Sequence, residues 1–400
     1  MSDPVPASRL DQQLAAQLSD FAAAGLRREL RRVAGRSGTI ATIDGRSLVN
    51  FSSNDYLGLS LHPALKEAAV KAVAEHGAGS AASRLVCGSL AIHHELEAHL
   101  ADWCGTSAAL AFSSGFAAAM GTIPALVGAD DVVILDKLTH ACCIDAARLS
   151  GARIRVFRHN DLDMLADHLR WADSLGGESR PRVLVITESV FSMDGDRAPL
   201  RELVELKDRH GAFLLLDEAH AAGLLGPGRA GLADALGLRS RVDIHLGTLG
   251  KAVGSAGGFI AGSQTLVEYL IHRARSFVFS TAPVPAAAAA AMAGVSVIRS
   301  DEGARLSEQA WTHARVLSKA ILAAPEPVST IIPWNLGDER RTVEESLRIR
   351  DAGFLAPAIR YPTVARGQSR IRFTVSAAHT NDQVERMLRV LDPGNPRTAS

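Results

Sequence analysis

The chain has 400 residues, 47% hydrophobic and 22% charged, a balance that supports a large buried core and excludes a disordered chain. Lysine plus arginine equals aspartate plus glutamate at 43 each, so no basic excess points to a nucleic-acid groove or an anionic membrane surface. The length suits one large domain with a smaller one.

The segment up to about residue 30 reads as a helix, with Leu10, Leu14, Leu18 and Phe21 on one face. It has no basic start followed by an apolar run, so no signal peptide is expected. TIATIDGRSLVNF then alternates around Asp44 and Gly45, a dipeptide that favours a hairpin turn. Residues 1–59 are therefore assigned to a helix and hairpin that pack with the smaller domain.

A large domain is assigned to residues 60–285. Short apolar strands are predicted at 108–112, 132–135, 154–157, 183–187, 213–216, 243–246 and 258–261. Helices are predicted at 116–126, 141–149, 162–171 and 200–210. Such alternation predicts an α/β fold with a mostly parallel seven-stranded sheet covered on both faces, whose strand ends and helix starts carry the ligand.

Beyond Val284 the chain reads as helical to about residue 324. A strand at 331–332, a helix at 343–351, a strand at 371–376 and a helix at 382–391 follow, and 286–400 forms a smaller α+β domain. Two uncharged stretches, 103–129 and 276–298, are broken by glycines, serines and prolines such as Pro124, Pro283 and Pro285, and are too weakly hydrophobic for membrane insertion. Cys87, Cys104, Cys142 and Cys143 have neither CxxC nor zinc-site spacing, and read as reduced thiols of a cytosolic protein.

The chemistry centres on Lys251 in GTLGKAVGSAGG, a lysine among glycines directly after a buried strand. A Schiff-base lysine needs a neutral amine and room for an aldehyde ring; alone, an exposed loop lysine is the commoner case. Asp217 ends the apolar run FLLL and can hold a proton on a pyridine nitrogen, although strand-ending aspartates often only cap a turn. His220, three residues on, can reach the phenolic oxygen of the same ring. Asp217 and Lys251 are separated by one crossover connection, so adjacent strands offer an acid and an amine to one ligand, and the pair says more than either member. In SSGFAAAMG at 113–121 a strand turns into a helix whose free amides suit a phosphate; an ordinary strand-to-helix turn is an even alternative. His140 also opens a helix and can stack on a flat ring.

Other readings are weaker. GPGRAG at 226–231 matches a dinucleotide fingerprint but does not sit directly at a strand end. His94, Glu95 and His99 suggest a metal, but the histidines are five apart and do not share a helix face, so IHHELEAHL reads as a solvated amphipathic helix. No G-x-S-x-G occurs to support a hydrolase. A non-catalytic module on this fold would usually have lost the lysine.

Together these residues resemble the α-oxoamine synthase family of fold-type-I pyridoxal-phosphate enzymes from about residue 25 to 390. The shared motifs are NFSSNDYLGLS at 50–60, FSSGFAA at 112–118, FSMDGD at 191–196, DEAH at 217–220, GTLGKA at 247–252, AIRYPTV and IRFTVSAAH. The resemblance implies pyridoxal 5′-phosphate on Lys251, with Lys251 also the catalytic base, Asp217 on the pyridine nitrogen, His220 on the phenolic oxygen and His140 stacked on the ring. It makes Gly115, Phe116, Ser192 and Thr248 cofactor anchors, and has Thr281 reach a phosphate across a homodimer with shared active sites. Arg27, Asn54, Arg360 and Thr363 match substrate positions, Arg360 facing the amino-acid carboxylate. The implied activity is a cytoplasmic acyltransferase condensing L-alanine with a pimeloyl thioester of coenzyme A or acyl carrier protein, with loss of carbon dioxide, in biotin synthesis. No metal, nucleic-acid or membrane partner is implied. The alternative is glycine with acetyl-coenzyme A, toward which Cys87 and Asp145 lean. The family's GSGGSR loop is GSAASR here, where Ala81 and Ala82 add methyl groups beside the acyl path.

Overall fold

The computed structural model describes residues 8–23, 26–176 and 180–391. Helix α1 (Arg9–Ala23) carries Leu10, Leu14, Leu18 and Phe21, as the spacing predicts, but buries none of its residues. Packing on the smaller domain would bury that stripe, and among the described residues nothing does. Strands β1 (Val33–Ser37), β2 (Ile40–Ile43) and β3 (Arg46–Asn50) form the predicted meander. Asp44 and Gly45 both take positive φ, 51° and 76°, as a tight hairpin turn requires.

Two helices precede the main sheet, α2 (Pro63–His76) and α3 (Ala91–Cys104). Helix α3 corrects an expectation. It is not a solvated segment, because Ile92, Leu96, Leu100 and Trp103 enter the core and the buried Glu97 accepts two hydrogen bonds, 2.8 and 2.9 Å, from the buried Arg84. A periodicity count misses this because a paired charge lies on the core face.

The chain then alternates through β4 (Ala108–Phe112), α4 (Gly115–Leu126), β5 (Val132–Asp136), α5 (Ala141–Ser150), β6 (Arg153–Phe157), α6 (Leu162–Asp173), β7 (Val183–Glu188), α7 (Leu200–Arg209), β8 (Phe213–Asp217), the short α8 (Leu232–Ala235), β9 (Ile244–Thr248) and β10 (Gly258–Gly262). The sheet order is β4-β10-β9-β8-β7-β5-β6, parallel except for β10, which is antiparallel to β4 and β9. Both faces are covered, so Val132, Val133, Ile134, Leu214, Leu215 and Leu216 are fully buried on consecutive positions. Each such side chain contributes about 1.5–3 kcal/mol relative to exposure. Strand β9 runs past the predicted end at 246 because Gly247 and Thr248 still pair with Phe259 and Gly258.

Helices α9 (Gln264–Arg273), α10 (Arg275–Val278), α11 (Pro285–Arg299) and α12 (Asp301–Leu322) follow. The predicted continuous helical stretch breaks at Ser300, whose hydroxyl caps α12 by accepting from Gly303 N–H. The alanine run of α11 packs against α2, its small side chains allowing close approach. No helix among the described residues is long and apolar enough to cross a membrane.

The C-terminal part comprises β11 (Ile331–Gly337), α13 (Glu339–Asp351), β12 (Phe354–Leu355), β13 (Ala358–Ile359), β14 (Ser369–Thr374) and α14 (Asn381–Leu391). β12 extends the N-terminal meander beside β3, and β11-β14-β13 form a second small sheet. Phe51, Phe354, Ile371 and Phe373 share its core. This core presents the arginines of β14 to the rim of the large sheet.

Candidate active site

Register along the large sheet brings two acids to one rim, because Glu188, the last residue of β7, pairs with Asp217, the last residue of β8, and Asp217 pairs with Leu246 of β9. The chain leaving β9 carries Lys251 back over that rim. Asp217 is buried; its Oδ1 accepts from Ala219 N–H at 2.9 Å, and its Oδ2 accepts no hydrogen bond from a described residue. Burial raises its pKa and the Lys251 charge opposes this. Burial lowers the pKa of Lys251, against the pull of Asp217 and Glu188.

A hydrogen-bonded chain leads away from the amine. Lys251 Nζ lies 2.7 Å from His220 Nε2, and His220 Nδ1 lies 2.6 Å from the Tyr56 hydroxyl. Arg372 donates to Tyr56 Oη at 3.5 Å and from both terminal nitrogens to Asn54 Oδ1 at 3.2 Å, and its Nε donates to the Ser192 carbonyl. Burial, then the charge on Lys251, push the pKa of His220 well below its ordinary value, so the ring is neutral and has one donor. Tyr56 accepts from Arg372, and its hydroxyl faces both Asn54 Oδ1 at 3.3 Å and His220 Nδ1 at 2.6 Å. Nε2 and the Lys251 amine share one hydrogen bond, whose donor depends on which ring nitrogen of His220 carries the proton.

A second cradle surrounds the start of α4. Ser114 Oγ accepts from Ala117 N–H at 3.0 Å, while the amides of Gly115 and Phe116 donate to no acceptor among the described residues. A Cβ on Gly258 would lie 2.3 Å from Gly115 N, so only glycine lets β10 run this close to the helix start. Thr248 Oγ1 accepts from Gly250 N–H at 3.3 Å, and its Cβ would lie 3.6 Å from a Cβ on Gly115. Free amides, a hydroxyl and the helix dipole make an anion site.

His140 caps α5. Its Nδ1 accepts from Cys142 N–H at 3.2 Å and lies 3.0 Å from Cys142 Sγ. The hydrogen bond to Cys142 raises its pKa against a smaller effect of burial. Contact with Cys143, then with His140, draws the Cys142 thiol down to about 6 despite burial.

An aldehyde-bearing pyridine phosphate fits this set. It would find an amine, a buried carboxylate oxygen with no donor, and free helix-start amides. The structure brings Lys251, Asp217, His220, Asn54 and Ser192 into one network, sets Gly115 beside Thr248, and leaves His140 within electrostatic reach of Asp217. Other predicted residues stand apart. Phe116 is 50% exposed, Thr281 is exposed and bridges to Ser83, and Arg27 is exposed with no hydrogen bond or ion pair to a described residue. Arg360 is half-buried, its side chain makes no hydrogen bond or ion pair with a described residue, and its carbonyl accepts from Thr363 N–H at 2.9 Å. The sequence reading did not single out Tyr56, Arg372 and Glu188. Tyr56 and Arg372 lie inside the quoted motifs, and Glu188 ends an apolar strand just as Asp217 does. Glu188 is buried with Oε1 unpartnered, and burial, then Asp217, push its pKa up to about 8.

The aminotransferase class I and II profile matches residues 46–391. An 8-amino-7-oxononanoate synthase of an Anaeromyxobacter species is 48% identical over 95% of this chain and 97% of its own length. That of Anaeromyxobacter dehalogenans is 45% identical over 96% and 98%. Among solved structures, Sphingomonas wittichii serine palmitoyltransferase superposes with a TM-score of 0.89 at 30% identity, over 98% of this chain and 99% of that one. A structure of SPT with PLP as an internal aldimine gives 0.89 at 28% identity, over 98% and 100%. The Francisella tularensis 8-amino-7-oxononanoate synthase gives 0.70 at 27% identity, over 86% and 97%. The chain has the fold-type-I fold and belongs to the aminotransferase class I and II family, in its α-oxoamine synthase branch.

Proposed function

We propose that this enzyme condenses L-alanine with a pimeloyl thioester, carried by coenzyme A or acyl carrier protein, to give 8-amino-7-oxononanoate, carbon dioxide and the free thiol, a step of biotin synthesis. The observation that carries this reading is the buried Lys251 amine, hydrogen-bonded to His220 at 2.7 Å, with its pKa lowered by burial against the pull of Asp217. Pyridoxal 5′-phosphate is the cofactor, and when bound it supplies an electron sink at the amino-acid α-carbon.

Each residue has a task. Lys251 would hold the cofactor through Nζ, and the same Nζ, when free, would take the α-proton of the amino acid. Asp217 Oδ2 would accept from the ring nitrogen, and His220 would hydrogen-bond the phenolic oxygen. Gly115, Phe116, Ser192 and Thr248 anchor the cofactor. His140 supplies the stacking imidazole and a donor to the oxyanion that develops on the thioester carbonyl. Arg360 takes the substrate carboxylate, with Arg27, Asn54 and Thr363 beside it. The new carbon–carbon bond forms as the carbon–sulfur bond breaks, and the β-keto acid then loses carbon dioxide.

The working enzyme is a cytoplasmic homodimer in which Thr281 serves the neighbouring site, a reading supported by the exposure of Thr281 and of Phe279, Val284 and the apolar face of α1. Residues 60–285 form the cofactor domain, and 286–400 with 1–59 the smaller one. Glycine with acetyl-coenzyme A is the second reading, from Cys87 and Asp145, but both are exposed and Asp145 pairs with Arg148 at 3.8 Å. Carbon dioxide release with alanine and with glycine, each against a panel of acyl thioesters, tests the choice. Alanine with the pimeloyl thioester is expected to turn over fastest; fastest turnover of glycine with acetyl-coenzyme A overturns the assignment.

A further inference from the structure

The turn that follows β7 is gripped on two sides by side chains that no step above uses. On one side stands His159. Its Nδ1 lies 3.0 and 3.2 Å from the two carboxylate oxygens of Asp136, and its Nε2 lies 2.7 Å from Asp196 Oδ2. Asp136, the buried end of β5, also accepts N–H groups from Leu138 and Asn160, each at 2.8 Å. The His159 ring meets Phe191 edge-on, with centroids 4.3 Å apart. Asn160 Nδ2 adds bonds to Asp196 Oδ2 at 3.0 Å and to the Arg197 carbonyl at 3.1 Å.

On the other side stands β14. Arg370 donates to the Met193 carbonyl at 3.2 Å and to Asp194 at 2.5 Å, and Arg372 donates to the Ser192 carbonyl. Ser329 Oγ donates to the Gly195 carbonyl at 2.6 Å. Gly195 takes φ +70°, and a Cβ there would lie 2.4 Å from the Ile331 carbonyl oxygen. The turn has little freedom of its own, closing on Phe191 N–H to Asp196 at 3.0 Å and Gly195 N–H to Phe191 at 2.8 Å.

A neutral imidazole has one N–H, and here both ring nitrogens face a carboxylate. Only the imidazolium donates at both ends. Burial disfavours that cation, but the bonds to Asp136 and Asp196 outweigh it and hold the ring protonated up to about 10.

We propose that His159, as an imidazolium bridging Asp136 and Asp196, is a positioning residue for the amino-acid site. It fixes the 191–197 turn so that the Ser192 carbonyl holds Arg372 in register with Asn54 and Tyr56. Arg372 then orients the Tyr56 hydroxyl against His220, and His220 against Lys251. Errors of about 1 Å in such a chain cost on the order of 10²-fold in rate. A role confined to stability would leave the amino-acid site of the folded enzyme unchanged.

The test uses His159→Gln, which cannot donate to both carboxylates, and Asp196→Asn, which keeps the shape and removes one charge. Two readouts are taken on each variant. The first is amide exchange at Phe191 and Gly195 in the cofactor-free protein. The second is the alanine concentration at half-change of the cofactor absorbance in the holoenzyme. His159→Gln is expected to speed that exchange and to raise the alanine midpoint, each about tenfold or more, while cofactor absorbance per chain stays at the parent value. Asp196→Asn is expected to move both in the same direction by a smaller factor, and decides the matter if His159→Gln does not fold. Parent-like exchange, or an alanine midpoint within about twofold of the parent, overturns the proposal. The second readout rests on the amino-acid chemistry proposed above. If the parent holoenzyme responds to no amino acid, that chemistry fails, and the exchange rates still decide the role of His159.

Discussion

Lys251 Nζ and His220 Nε2 are 2.7 Å apart, at the end of a chain that begins on a strand of the C-terminal sheet. Arg372 of β14, Tyr56 of the N-terminal segment and His220 of the large sheet each pass one hydrogen bond along it. The amine is thus poised by three parts of the chain that lie far apart in sequence.

Replacing Lys251 by alanine removes the only amine in this network. The parent holoenzyme, treated with borohydride, is expected to carry the cofactor mass on the chain at residue 251, and Lys251→Ala none. Turnover should fall by at least the 10²–10⁴-fold typical of losing a general acid–base group. Mass spectrometry of the reduced protein settles this, and cofactor reduced onto Lys251→Ala would reject the assignment.

Tyr56→Phe leaves the buried Nδ1 of His220 without its partner at 2.6 Å. An unsatisfied buried polar group costs about 1–3 kcal/mol. Denaturant unfolding should show a loss of that size. Because Tyr56 no longer fixes the proton on His220 from the Nδ1 side, the bond between Nε2 and Lys251 is freed to change, and the pH profile of turnover should shift. A parent-like profile would mean that Tyr56 only fills space.

Much of this site was legible because strand ends are conspicuous. Four apolar residues closing on Asp217, and a lysine among glycines at 251, carry their environment in their neighbours. Tyr56 and Arg372 were not separable from their motifs, since an alternating strand such as IRFTV gives no sign that its arginine turns toward another sheet. Glu188 had the same signal as Asp217 but no partner lysine at crossover distance to draw notice. The misread face of α3 has a similar cause, because only folding sets Arg84 against Glu97. The face of α1 was read correctly as a stripe, but none of it is buried by the described residues.

Glu188 predicts how stability depends on pH. Its folded pKa is raised, from an ordinary 4.5 to about 8, by burial and then by Asp217. The folded state therefore holds this proton more tightly than the unfolded chain. The associated stability is complete below pH 4.5 and is lost as pH rises toward 8. Glu188→Gln should flatten the fall in unfolding free energy of the cofactor-free protein across this window. An undiminished slope in the variant would assign the fall to other groups.

Ala81 predicts a stabilising substitution. In the GSAASR loop it adopts φ +61°, a left-handed conformation that costs a non-glycine residue roughly 1–2 kcal/mol. The loop cannot relax easily, since Ala82 accepts from Ala282 N–H at 3.0 Å and Ser83 bridges to Thr281. Glycine at 81 removes the strain and gives back part of the gain through the greater freedom of the unfolded chain, a correction of about 0.4–1 kcal/mol. Ala81→Gly should therefore raise the unfolding free energy by about 1 kcal/mol or less, where glycine elsewhere in a folded element lowers it. Since Ala81 adds its methyl beside the proposed acyl path, the same variant should accept longer acyl thioesters at higher kcat/KM. Denaturant midpoints and an acyl-chain series, measured on one preparation, separate the two effects. A lowered midpoint would mean that the left-handed geometry at 81 is not the conformation the loop adopts.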